Sequence, residues 1–435
     1  MRMSSTMFRL LVVGLLAGAC SMSAVLGADP LTALDSPGGP TSRYPSLLVT
    51  ASGDRYLTWS ERAHPESDTW LVLVSSWIDG TWTDPVEITR RRDLFINWAD
   101  FPAIGASSDS ALLVAHWLQK VDEAPYAYHI MFSRSVDRGR TWSSPKRLHD
   151  DDSPTEHGFV SYAEEGAGRI RAFWLDGQAM AGADGHDDPQ QHGHGHGAMS
   201  LRTAVIERDG ISDRQTLDEQ VCECCGTAAT MVGECPLVVY RDRSPDEIRD
   251  ISIGRWTEDE WRMATPIADD GWRIPGCPVN GPAVAAAGEA VAVAWFTEAD
   301  QTPRVRFAWS FDGGLNFEPS IVIDSPDSDG HPIGRVDVEI DPTTGDALVL
   351  WLDQDRSAPI AADYGAQPAA LRMRRVGREG QLGVTTRLAT TMGGRASGFP
   401  RAARAEDKLL LAWTEIPTDQ ETRVRVAEIL ISDIP

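Results

Sequence analysis

Hydrophobic positions along this chain fall into short runs separated by clusters of Gly, Pro, Asp and Asn, which is strand and turn punctuation rather than helical periodicity. One run repeats. A β-rich stretch ends in an aromatic residue, usually with a polar residue two places later: Tyr56 to Trp59 with Glu61, Leu113 to Trp117 with Gln119, Ala172 to Trp174 with Asp176, and Leu237 to Tyr240 with Asp242. Trp295, Trp351 with Asp353, and Trp413 with Glu415 continue the series, and successive aromatics lie 58, 57, 66, 55, 56 and 62 residues apart. An apolar segment precedes each aromatic strand, opened in three places by an aromatic-proline pair: Tyr44-Pro45, Phe101-Pro102 and Phe399-Pro400. An alternating strand follows, as in Val305, Phe307 and Trp309, whose side chains share one side. Seven such units predict an all-β chain: a β-propeller of four-stranded blades, seven in number with six as the alternative. The last unit is short of a strand, and residues near Pro30 to Asp35 are expected to supply it and close the ring.

The turns carry a second signature. Ser135, Asp137, Gly139 and Trp142 stand in the pattern S-x-D-x-G-x-T-W, and Ser310, Asp312, Gly314 and Phe317 form a slightly degenerate copy at the equivalent place in another unit. The pattern suits a hairpin between third and fourth strands, in which Asp caps backbone amides, Gly takes a positive φ and the aromatic packs inward. With these Asp-boxes, the chain resembles the sialidase-like (BNR-repeat) propellers over nearly its whole length, although sialidases have six blades. The resemblance implies three arginines around a substrate carboxylate, a tyrosine nucleophile with a glutamate partner, and an aspartate acid/base. Arg43-Tyr44-Pro45 loosely echoes the family's Arg-Ile-Pro motif. Tyr364 falls in a blade-six loop on the appropriate face, with no glutamate beside it to complete the pair.

Residues 1–27 read as a signal segment, with Arg2 and Arg9 before the apolar run Leu10 to Ala19, and residues 28–435 as a single propeller domain. Leu16-Ala17-Gly18-Ala19-Cys20 resembles a lipobox, so Cys20 is the expected lipidation site. The expected product is a bacterial envelope lipoprotein, monomeric and touching the membrane only through its anchor. Cleavage near Gly27, giving a secreted protein, is the alternative. A formal net charge of -24 without a basic block argues against a nucleic-acid partner.

In a propeller the loops joining second to third strands share a face with those joining one blade to the next, and Asp-boxes lie on the other face. This rule gathers four unusual segments on one face of adjacent blades. The His-rich stretch carries His186, His192, His194 and His196. Cys222, Cys224 and Cys225 join blades three and four, and Cys277 and Asn280 join blades four and five. The segment from Tyr240 to Asp250 carries Arg241, Asp242, Arg243, Glu247, Arg249 and Asp250. Cys235, on the opposite face, is the expected unpaired thiol. In an exported protein the sulfurs on the shared face are expected to form disulfides; zinc or copper held by Cys222, Cys224, Cys225, Cys277 and the imidazoles of His192, His194 and His196 is the alternative.

Function divides accordingly. The leading expectation is a propeller that binds or hydrolyses an anionic glycan, as a possible glycoside hydrolase, with Arg241, Asp242, Arg243 and Arg249 as ligand-binding candidates through bidentate contacts. The alternatives are a metal-binding or redox-linked envelope protein and a non-catalytic scaffold for another protein.

Overall fold

The computed structural model describes residues 31–181, 197–263, 266–324, 330–355, 367–417 and 421–435. Seven antiparallel sheets follow one another around a central axis. Blade one comprises Arg43–Val49, Arg55–Arg62, Trp70–Ile78 and Val86–Arg91, with a small extra hairpin strand at Thr81–Trp82. Blade two comprises Ile104–Ala106, Leu113–Lys120, Tyr128–Ser135 and Lys146–Arg147, and blade three His157–Gly166, Arg169–Asp176, Ser200–Glu207 and Ile211–Asp218. Blades four and five run from Ala228 to Met263 and from Ala283 to Val322, and blade six from Gly330 to Met392. Blade seven takes three strands from the C-terminus, Arg401–Ala405, Lys408–Glu415 and Arg423–Leu430, and its fourth from the N-terminus. Thr32–Leu34 pairs antiparallel with the last of these, Ala33 opposite Ala427. The ring therefore closes as the short seventh repeat predicts. Among the described residues there is no α-helix, only four single 3₁₀ turns.

The repeating aromatic follows from how blades pack. A four-stranded sheet must bury both faces, and in a ring each face meets the next blade. Seven apolar clusters result, each shared by two neighbours, including one in which Leu57 and Trp59 of blade one meet Val424 and Val426 of blade seven. Trp59, Trp117, Trp174, Trp295 and Trp351 are among the largest fully buried side chains. A buried indole seeks an acceptor for its N–H, and in blades one and three the polar residue two places on supplies it, whereas Trp117, Trp351 and Trp413 Nε1 have no acceptor among the described residues. Trp59 donates to Glu61 at 2.8 Å and Trp174 to Asp176 at 2.9 Å. In blade four, Tyr240 donates to Asp218 at 2.7 Å instead, and in blade five Trp295 donates to Asp270 at 2.6 Å.

The innermost strands bring the blades together at the axis. In blades one, three and six the first residues of this strand contain one extra residue against the partner strand, between Arg43 and Ser46, Gly158 and Ser161, and Gly334 and Asp337. Each bulge holds a non-glycine residue in the left-handed region, Tyr44 at φ 56°, Phe159 at 57° and Arg335 at 56°. Bulges re-aim side chains and store strain where the surrounding structure enforces it. Here all three lie at the same end of the disc, at the entrance to a central channel of about 440 Å³ lined by Leu47, Tyr162, Glu164, Met231, Asp337 and Arg401 among others.

The two Asp-box segments form matching hairpins on the opposite face. Gly139 and Gly314 donate their backbone N–H to Ser135 and Ser310 Oγ at 2.8 and 2.9 Å, with φ of 81° and 87°. Asp137 accepts from Thr141 N, and Asp312 from Leu315 N and Asn316 N. Trp142 Nε1 closes the first turn onto Gly139 O at 3.2 Å. Partial burial would raise the Asp312 carboxyl, but bonds from Asn316, Ser310 and Leu315 outweigh it and hold the group down at about 2 against an ordinary 3.8. Replacing Asp312 with alanine is expected to cost about 1 kcal/mol in urea unfolding at neutral pH. Because the folded-state value is depressed, that difference should be complete above the ordinary value and disappear as pH falls toward about 2.

Candidate functional site

The connections that enter the innermost strands converge at the bulged end of the channel. Trp98 is half-buried there, stacked 5.9 Å from Phe399 and capped by the Arg335 guanidinium 4.6 Å from its centroid. Arg335 itself is buried and donates to Ser397 Oγ at 2.6 Å and to the carbonyls of Gly394 and Gly398 at 3.0 Å. Burial, the dominant cause, lowers its pKa to about 10. Tyr44, Phe101 and Phe399 pack together beside it. Arg395 is exposed on this rim, and the half-buried Arg401 lies 5.1 Å from the Phe101 ring.

Next to this aromatic floor, between blades two and three, stands a group of acids that sequence reasoning missed. The Tyr128 hydroxyl donates to Glu156 Oε1 at 2.5 Å. The two residues also meet through their backbones, Tyr128 N donating to Thr155 O at 3.2 Å in a short parallel bridge. Glu156 is half-buried, and desolvation, reinforced by the nearby Glu223 and Cys222, raises its pKa to about 7 despite the Tyr128 hydrogen bond. Asp100 lies alongside, 2 % exposed, with Oδ2 lacking a hydrogen-bond partner. Burial pushes this carboxyl well above its usual range, and the charge of Glu156 adds to the shift. The approach is close because position 158 is glycine: a Cβ there would stand 1.8 Å from Asp100 Oδ2. A carboxylic acid kept protonated near neutral pH is a proton donor, and one poised near 7 can serve as acid or base.

The Cys and Arg segments of the sequence reading do come together, at the blade-four side of the same face. Glu223 is gripped by Arg243 and, at 2.7 Å, by Arg249. Both arginines also hold Glu247, at 2.7 and 2.8 Å, which closes a four-residue network of ion pairs between two loops. Arg249 Nη1 lies 3.3 Å from Cys222 Sγ. Cys224 is bonded to Cys277, and the Cys222 and Cys225 sulfurs lie 3.4 Å apart as buried thiols. Burial opposes ionisation of Cys222, but Cys225 and Arg249 together lower its pKa; Cys225 moves the other way, raised chiefly by burial. Cys235 is a half-buried free thiol in blade four, so free thiols number three among the described residues rather than the single one expected. The Cys222, Cys224 and Cys277 sulfurs lie within 4.8 Å of one another. With two of them in a disulfide, a soft ion would have only the Cys222 and Cys225 thiols. Cys20, His186, His192, His194, His196 and Tyr364 lie outside the described residues.

Four of the residues singled out on this face, Arg241, Asp242, Asp250 and Asn280, have other duties. Arg241 is 1 % exposed, with its guanidinium committed to the carbonyls of Asn280 at 2.9 Å, Arg249 at 2.6 Å and Phe296 at 2.7 Å, under the Trp272 ring. Asp250 accepts from Gly271 N and Trp272 N at 2.8 and 3.0 Å. Asn280 ties blades five and six, accepting from Arg335 N at 2.9 Å and donating to Ile333 O at 3.2 Å. Asp242 accepts from Arg243 N at 2.7 Å and Ser252 Oγ at 3.3 Å, and burial raises its pKa. The expectation that Arg241 meets a ligand gives way to a structural role, because a guanidinium with its donors placed on backbone carbonyls and no exposed surface has nothing left to offer. The acids at Asp100 and Glu156 carried no motif; they stand in the connections just ahead of the innermost strands, a position that the spacing of the aromatic strands does locate.

No protein-family model matches the sequence, and no curated protein does. Solved structures match across most of the chain. The polysaccharide lyase Uly1 is 7% identical, with 89% of this chain and 90% of that one covered at a TM-score of 0.53. The α-L-arabinanase of Penicillium chrysogenum is 11% identical over 93% of this chain and 99% of its own, at 0.49. The NanB sialidase of Streptococcus pneumoniae is 11% identical over 91% and 69%, at 0.45. With the seven antiparallel sheets, the likeness to Uly1 shows the fold alone, a β-propeller.

Replacing Arg241 with alanine is expected to destabilise the protein by about 3 kcal/mol or more, by leaving three buried carbonyls without donors. Chemical denaturation should show this loss whether or not any sugar is present.

Proposed function

We propose that this is an exported protein that acts on an anionic glycan at the bulged mouth of the propeller, with Glu156 as the proton-transferring group. The observation that carries the reading is the Tyr128–Glu156 hydrogen bond at 2.5 Å, joined to a Glu156 pKa raised to about 7, beside a second buried acid at Asp100. Cleavage of a glycosidic linkage requires a protonated acid at the leaving oxygen and commonly a second carboxylate. Asp100, Glu156 and the ion-paired Glu223 supply acids in contrasting environments at one place. Trp98, half-buried at this mouth, offers some apolar surface to a sugar ring, and Arg395 and Arg401 beside the same aromatic group favour a carboxylate or sulfate on the ligand. The structural neighbours lend a prior only: a lyase, an arabinanase and a sialidase are what those proteins are. The Tyr128 ring is 1 % exposed and stacked on Phe95 at 4.3 Å, so in this reading it positions Glu156 and is not a nucleophile. The positive start and apolar run of residues 1–27 support export, through either Cys20 lipidation or cleavage near Gly27.

The test is a panel of uronate-, sialate- and sulfate-bearing oligosaccharides, offered to the wild type, Glu156→Gln and Asp100→Asn. Turnover by the wild type should fall at least about 100-fold in Glu156→Gln, and the wild-type rate should fall as pH rises through about 7 as the acid loses its proton. Full activity in both variants would remove the site assignment, and failure of every anionic sugar to bind would remove the ligand class. Stability provides an independent check. The folded-state pKa of Glu156 lies above its ordinary 4.5, so wild-type stability should decline as pH rises through about 7. Glu156→Gln should melt higher than wild type at pH 8 and show little advantage at pH 5.

A further inference from the structure

Behind Glu156, on the blade-two side, lies a second cluster. His129 follows Tyr128 on the third strand of blade two, His149 and Asp151 stand in the connection to blade three, and His157 follows Glu156 at the start of the innermost strand. The His149 and His157 side chains are fully buried and that of Asp151 is 4% exposed. Their rings stack face to face, centroids 3.8 Å apart and 5° from parallel, with the His129 centroid 4.7 Å from that of His149.

The hydrogen bonding of this cluster does not balance by itself. His157 Nδ1 faces two acceptors, the carbonyls of Tyr128 at 3.2 Å and Thr155 at 3.1 Å, so it carries the proton. The neutral ring then presents a lone pair at Nε2, which sits 2.5 Å from Asp151 Oδ2. A bare lone pair against a carboxylate is repulsive. A second proton would make His157 an imidazolium stacked on another imidazole, with Arg147 nearby at His129. His149 is stranded as well: neither ring nitrogen has a hydrogen-bond partner among the described residues, although Nδ1 is 3.6 Å from Asp151 Oδ2. His129 Nδ1 is likewise buried without a partner. An unsatisfied buried nitrogen costs about 1–3 kcal/mol, so several together call for an explanation.

One cation would give a partner to one nitrogen of each ring. One ligand nitrogen from each of His129, His149 and His157 lies within 4.8 Å of the other two. Donors around an ion with bonds of about 2.0–2.1 Å stand roughly 3.4 Å apart when tetrahedral, so the spacing is near what an ion needs, while the stacked His149 and His157 rings would have to splay apart to point at it. We propose that His129, His149 and His157, with Asp151 as the fourth ligand, form a closed site for a borderline first-row divalent ion of the zinc class. Three imidazoles and one carboxylate suit that class and disfavour calcium or magnesium. The outer contacts fit such a site, since a metal-bound imidazole donates its other N–H to a carbonyl, as His157 Nδ1 does to Tyr128 O and Thr155 O. Asp176, whose Oδ1 is 3.7 Å from His157 Nε2, takes Gln178 N and the Trp174 indole and backs the ligands from blade three. Because two ligands adjoin Tyr128 and Glu156 in sequence, the ion would pin blades two and three directly behind that pair. The site shares no residue with the cysteine network and does not depend on what the mouth binds.

The test uses the full chain with His186, His192, His194 and His196 changed to serine, so that any bound ion reports on the cluster. After chelator treatment, Zn²⁺ is titrated in competition with a chromophoric chelator. The expected result is one ion per chain with a higher melting temperature, and Co²⁺ in its place should give tetrahedral ligand-field bands without thiolate charge transfer. His149→Ala should weaken Zn²⁺ by at least about 100-fold. The half-buried His129→Gln, the gentler change, should also weaken it if His149→Ala does not fold. Absence of tight Zn²⁺ binding, unchanged affinity in a folded His149→Ala or in His129→Gln, or a thiolate band with Co²⁺ would each overturn the proposal.

Discussion

A ring of blades has no single core. Each sheet here is apolar on two faces and meets water at its outer strand, so its burial depends on having a neighbour on both sides. Seven clusters, each straddling two blades, are the consequence, and removing any one contact opens two sheet faces at once. The pairing of Thr32–Leu34 with Arg423–Leu430 carries this constraint for the whole molecule, because it joins the last sheet to the beginning of the chain. At the axis the same demand sets side-chain size. A Cβ at Gly281 would come within 2.1 Å of the Gly226 carbonyl, so the strands of blades four and five approach there only as glycine.

Tight closure at the axis brings charged groups into little water, and the two sides of the mouth handle this differently. On the blade-four side the arginines are all engaged: Arg243 and Arg249 share Glu223 and Glu247, and Arg241 is spread over backbone carbonyls. On the blade-two side the charges are unmatched, with two carboxyls whose ionisation is suppressed and three clustered imidazoles, two of them against Asp151. Matched charges make a rigid wall. Unmatched ones are where binding a ligand or an ion returns the most free energy, which is why the acid pair and the histidine cluster, and not the arginine loop, draw the functional reading.

The architecture was legible in the sequence because it is repeated. The buried tryptophan and its acceptor two residues later, seen in Trp59–Glu61 and Trp174–Asp176, recur at a readable period, and the Ser135 and Ser310 turns mark equivalent corners. The disposition of loops on the two faces followed from strand alternation alone, and placed Cys222 to Cys225 with Cys277. The partnership of Asp100, Tyr128 and Glu156 was not legible, since it joins two blades through single residues without spacing or composition to mark them. Nor could sequence separate Arg241 from Arg249. Arg241 ends a strand and Arg249 stands in the loop that follows; the carbonyls of Asn280 and Phe296 occupy the first, and the carboxylates of Glu223 and Glu247 the second.

The seventh blade also bears on how the protein comes to be made. Its N-terminal strand is three residues long, sits on the outside of the sheet, and waits for partners almost four hundred residues away. Local hairpins can form as the chain emerges, but this contact has the greatest sequence separation and closes last. Until then the first and seventh blades each show an uncovered face. A short strand held at one edge is also easily exchanged, so at high concentration one molecule's Thr32–Leu34 can complete the seventh blade of another. The device that closes the ring within one chain is therefore the one by which two copies can become interlinked.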